Sequence, residues 1–152
     1  MKQAFTLLEL IITIVIIGAL ATLGFTQYST TIERSRLAEA KANIALMRKL
    51  AYEYYFKYGS LDGMTNASVG VGSCFPGPIT CNTSNYYKYR TGTQTSTSVN
   101  MGGVRCTSGG KTPNASRPYV YYITYYPGTD RIIWHCYYDD GTSEGCFGLT
   151  PS

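Results

Sequence analysis

Between Phe5 and Phe25 the chain runs for twenty-one residues of Leu, Ile, Val, Ala, Thr, Gly and Phe with a single charge, Glu9. Such a run is long enough to cross the hydrocarbon core of a bilayer, and as a helix it is apolar all round, which a soluble core helix rarely is. A simple anchor has no use for Glu9, since a carboxylate in the apolar stretch costs up to about 2.5–3.5 kcal/mol on insertion scales, and less near the end. That carboxylate must find a donor or a cation, or take up a proton. A secretory signal is the main rival: Lys2 supplies a basic start, the apolar region follows, and Ala19-Leu20-Ala21 reads as a cleavage site leaving Thr22 first. Against it stand the single basic residue, the Glu9 interruption, and the apolar run that continues through Thr22, Leu23, Gly24 and Phe25.

Ala4-Phe5-Thr6-Leu7-Leu8-Glu9-Leu10, followed by the aliphatic run, resembles the prepilin processing and N-methylation motif of type IV pilins and pseudopilins. The resemblance implies that a prepilin peptidase removes a leader of residues 1–4, cutting between Ala4 and Phe5, and methylates the new amine of Phe5. Thr6 and Glu9 match the second and fifth mature positions, and Gly18, Gln27 and Tyr28 match further along. Two positions depart: Ala4 stands where the family usually has Gly, and Thr26 where many major pilins have Pro. The implied partners are other copies in a helical filament, an inner-membrane assembly platform and its cytoplasmic ATPase motor. The implied location is the inner membrane before assembly, then a surface filament or a periplasmic pseudopilus. Phe5, Thr6, Glu9 and Gly18 are the expected assembly residues, with Glu9 receiving the amine of an axially staggered neighbour. Gly18 and Gly24 have two readings: they would let neighbouring helices approach closely, or weaken the helical backbone so that the stretch can locally unwind as in related filaments.

Residues 5–28 form the apolar half of the expected helix and residues 29–58 an amphipathic half. Leu37, Ala40, Ile44, Met47, Ala51, Tyr54 and Tyr58 recur at spacings of three and four, predicting one apolar stripe. Lys49–Glu53 and Glu53–Lys57 are i,i+4 pairs for the exposed side, and Gly59 is a stop signal. Tyr119–Tyr126 and Arg131–Tyr138 are β-prone runs flanking Pro127-Gly128-Thr129-Asp130, a hairpin signature. With one further strand this gives a small antiparallel sheet to cover the stripe. The fold class is therefore α+β, pilin-like, with residues 59–152 as the extracytoplasmic region. Residues 59 to about 116, rich in Gly, Ser, Thr and Asn, read as an irregular connection with a short strand at Tyr86–Arg90.

Five cysteines lie between residues 74 and 146 without metal-type spacing, which points to disulfides and an oxidising compartment. Cys74 with Cys81 and Cys136 with Cys146 would each close a short loop, leaving Cys106 over; other connectivities stay open. A disulfide-stapled binding domain, secreted after conventional signal cleavage, is the alternative from a different functional class.

No catalysis is expected. The one histidine, His135, sits inside an expected strand beside Cys136, whose side chain would point to the opposite face, and nucleotide-binding or zinc motifs are missing. No cofactor is expected; Asp139, Asp140 and Glu144 offer oxygen ligands for calcium, but without EF-hand spacing a solvated turn accounts for them equally well. The net charge of +4 resides largely in six basic residues between 34 and 57, while from residue 59 onward six basic residues face five acidic ones. That balance makes no general case for nucleic acid, although Lys88, Arg90, Arg105, Lys111 and Arg117 are interleaved with tyrosines. Asn66, Asn82 and Asn114 head N-x-[ST] sequons, which mark accessible loops only where a glycosylating host is involved.

Overall fold

A computed structural model describes residues 6–72, 79–114 and 118–138. The chain divides into two compact units, Met1–Ser35 and Arg36–Ser152. Helix α1 spans Leu7–Tyr58. It is followed by a 3-10 turn at Ala67–Val69 and four strands: β1 Tyr87–Gln94, β2 Val99–Arg105, β3 Tyr119–Tyr126 and β4 Arg131–Tyr138. The strands form one antiparallel meander in the order β1-β2-β3-β4.

The apolar stripe on α1 buries itself within the second unit. Leu37, Ala40, Ile44, Met47 and Ala51 are fully buried against Tyr87, Tyr89, Met101, Tyr121, Ile123 and Tyr125 of the sheet. Tyr54 packs at the margin of this core, but Tyr58, expected in it, is 58% exposed, with its ring centroid 4.6 Å from that of Tyr54. The helix ends there because Gly59 takes φ +71 and donates its N–H to Tyr55 O at 2.8 Å, a left-handed glycine stop. Of the two expected surface pairs, Lys49–Glu53 forms at 3.9 Å, whereas Lys57 lies over the Tyr58 ring.

The β3–β4 hairpin forms where expected, and its turn is the 3-10 segment Pro127–Thr129 with Asp130 in the left-handed region. Asp130 is anchored there by the Tyr125 hydroxyl, which donates to its Oδ1 at 3.0 Å.

The expected irregular stretch is corrected. Instead of a short strand, Tyr87–Gln94 and Val99–Arg105 form a full hairpin. Its turn is held by Ser and Thr side chains, with Ser98 N donating to Thr95 Oγ1 at 3.0 Å and Thr95 N to Ser98 O at 2.8 Å. Glycine content hid β2, yet the packing requires it. A Cβ on Gly102 would come within 2.2 Å of Tyr122 Cβ, and one on Gly103 would crowd the Tyr89 ring and Tyr87 Cβ.

Candidate functional site

The helix start is built by Thr6. Its Oγ1 accepts the N–H of Glu9 at 3.3 Å and its carbonyl accepts the N–H of Leu10 at 3.2 Å. Thr6-Leu7-Leu8-Glu9 is thus a capping-box sequence with the threonine half formed, and Glu9 places its negative charge in the first turn, where the helix dipole favours it. Sequence reading singled out both residues for assembly but missed this local role, which the S/T-x-x-E spacing ahead of an apolar run signals. Ala4 and Phe5 lie outside the described residues.

Along the apolar half, two threonines are satisfied by the helix itself. Thr13 Oγ1 donates to Leu10 O and Thr22 Oγ1 to Ala19 O, each at 2.8 Å, so these threonines add no unpaired donor to the apolar surface. Glu9 makes no ion pair among the described residues. The most apolar window of α1 has a mean hydropathy of 2.4 and none of it is buried, with Leu7, Ile17 and Leu23 each more than three-fifths exposed. Each such side chain gains about 1.5–3 kcal/mol when fully covered, so this surface is made for a membrane or for protein neighbours. A Cβ on Gly18 or Gly24 would meet nothing within 4 Å, which leaves these glycines without a steric reason inside the described fold. The Ala19-Leu20-Ala21 segment sits within the unbroken helix.

Residues 1–25 match the prokaryotic N-terminal methylation motif. The chain carries the type IV prepilin signature. The motif supports a type IV pilin-like or pseudopilin subunit, and with the apolar helix it fits membrane anchoring ahead of assembly. No curated protein and no solved structure matches the chain.

In the pilin-like domain the other candidate residues do not converge. Cys81 is bonded to Cys106 across 25 residues, which corrects both the Cys74–Cys81 pairing and the idea of Cys106 as the leftover thiol. The bond joins the segment before β1 to the end of β2, two chain positions that the β1–β2 register brings together. Cys136 is also disulfide-bonded; Cys74 and Cys146 lie outside the described residues, as do Asp139, Asp140, Glu144 and Arg117.

Of the basic residues interleaved with tyrosines, Arg105 is buried. Its Nη1 donates to Tyr86 O at 3.0 Å and its Nη2 to Thr112 O at 2.6 Å. Lys111 lies over the Tyr86 ring, while Lys88 and Arg90 stand exposed on the face of the sheet turned away from α1. His135 lies on that same outer face. Its Nε2 is 3.0 Å from Thr124 Oγ1, its ring stacks on Tyr122 at 4.7 Å, and burial lowers its pKa below the usual histidine value. These contacts account for it as a structural residue.

Sequence reading also missed the polar contacts that dock α1 on β1. Asn43 Nδ2 donates to Tyr89 Oη at 2.8 Å, and Glu39 Oε1 accepts the N–H of Tyr86 at 3.2 Å. Asn66, noted only as a sequon, accepts both the N–H and the hydroxyl of Thr91, at 2.7 and 2.9 Å. Its amide oxygen therefore caps the outer edge of β1.

Proposed function

We propose that this chain is a structural subunit of a type IV pilus or related filament, without catalytic activity. Prepilin peptidase removes residues 1–4 and methylates Phe5. Residues 5–28 then reside in the inner membrane until a platform and its ATPase motor pass the subunit into the filament. There the apolar halves of many copies pack together, and residues 29–58 carry the domain formed by residues 59–152. A pseudopilus of a secretion or uptake system uses the same assembly chemistry.

The observation that carries this reading is Glu9, a carboxylate without an ion-pair partner among the described residues, in a helix segment whose surface is entirely uncovered. The amine of Phe5 is a poor intramolecular partner, because a full helical turn separates it from Glu9. An axially staggered neighbour presents its own Phe5 amine instead, so pairing sets register and makes insertion partner-dependent. Assembly of Glu9→Leu tests this. The variant is expected to reach the membrane but to be depleted in sheared filaments, and normal incorporation would remove the register role of Glu9. Mass and N-terminal sequence of the mature protein test the processing: a methylated Phe5 is expected, whereas a start at Thr22 leaves the secreted disulfide-stapled domain as the better reading.

A further inference from the structure

The outer face of the sheet carries a trough that neither the core nor the assembly helix uses. Two adjoining depressions, of about 180 and 450 Å³, share Arg90, Val104 and Val120. The floor is low because Gly102, opposite Tyr122 on β3, has no side chain, and none fits there. Lys88 and Arg90 alternate onto this face of β1, roughly 7 Å apart along the strand. Both are exposed, and neither makes an ion pair or a side-chain hydrogen bond among the described residues. Among the described residues, no acidic side chain lines either depression. Two cations without an acidic partner among the described residues therefore stand over a concave surface that combines the apolar strip Val104–Val120 with the amide of Asn100.

We propose that this trough binds a carboxylated saccharide. Arg90 presents a planar guanidinium suited to bidentate recognition of a carboxylate, and Lys88 supplies a second positive charge along the same line. Val104 and Val120 meet the C–H face of a sugar ring over Gly102, while the Asn100 amide offers both a donor and an acceptor to hydroxyls. A nucleic acid would instead call on free aromatic faces for base stacking. Here Tyr122 is the one outward-facing aromatic ring among the described residues that line the trough, and the net charge of residues 59–152 is close to neutral.

The test is a binding titration of the full-length protein in detergent micelles with an oligogalacturonate. A neutral maltooligosaccharide of equal length, a polyglutamate and a single-stranded oligonucleotide of similar charge serve as comparisons. Saturable binding of the oligogalacturonate alone is expected. Arg90→Gln is expected to weaken it about tenfold or more and Lys88→Gln to weaken it measurably. Arg131→Gln removes an equal charge from the far end of the same face, where Arg131 lies over the Tyr126 ring, and is expected to leave affinity unchanged. Absence of oligogalacturonate binding, tighter binding of the oligonucleotide or polyglutamate, or an equal loss in Arg131→Gln would each overturn the proposal.

Discussion

His135 shows how much one residue's surroundings decide. Packed on Tyr122 and placed beside Thr124, it is held toward its neutral form by burial. The unfolded chain takes up a proton at the ordinary histidine value of about 6.5, while the folded chain resists it to a lower pH. Stability is therefore full above that value and declines as pH falls through the window just below it. In His135→Gln this part of the acid dependence is expected to vanish, read as a smaller drop in Tm between pH 7 and pH 5 than in the parent. At the same scale, the Thr6–Glu9 cap is written in the S/T-x-x-E spacing, because a cap and its partner lie within one turn, although the sequence reading took the two only as assembly residues. Asn66 was not legible as the cap of β1, because Thr91, its partner, is 25 residues away and sequence spacing says nothing of that approach.

At the level of elements, α1 and the β3–β4 hairpin announce themselves through periodicity and turn chemistry, whereas β2 does not. Val99–Arg105 contains two adjacent glycines that weaken any strand pattern, yet the sheet needs both. Gly102→Ala should cost about 1–3 kcal/mol, because its Cβ would meet backbone as well as side-chain atoms of Tyr121 and Tyr122, forcing β2 and β3 apart. Gly92→Ala is the control. Its Cβ would lie 3.4 Å from Asn100 Cβ, and a change within about 0.5 kcal/mol is expected. Denaturant unfolding of the two variants checks the contrast; equal costs would mean that strand propensity, not the close approach of β2 and β3, governs the site.

For the molecule as a whole, the tyrosines are the dominant core material, and their burial has a measurable consequence. Burial pushes the core rings Tyr121 and Tyr125 up to about 12, with Tyr125 also hydrogen-bonded to Asp130, and raises Tyr89 further; on the outer face Tyr122, partly buried and hydrogen-bonded to Tyr137, is likewise pushed up to about 12. Unfolded tyrosines release their protons near 10, so stability is intact below that pH and falls as pH rises from 10 toward 12. Tyrosinate absorbance is expected to rise in two stages, exposed rings first and core rings only together with loss of circular dichroism. A single stage at ordinary tyrosine pH with the fold intact would contradict the burial of these rings.

The sequence by itself determined what is written in neighbouring residues. It carried the prepilin motif with Glu9 in its apolar run, the helical stripe from Leu37 to Ala51, the Gly59 stop and the Pro127–Asp130 turn. Each rests on interactions within a turn or on a short repeat, so local chemistry specifies it. Only the tertiary structure decided that Cys81 bonds Cys106, that Arg105 is buried, that Glu39 and Asn43 dock the helix on β1, and that Lys88 and Arg90 flank a glycine-floored trough. These depend on strand register between segments far apart in the chain, where many pairings are compatible with the same residues until packing around the tyrosine core selects one.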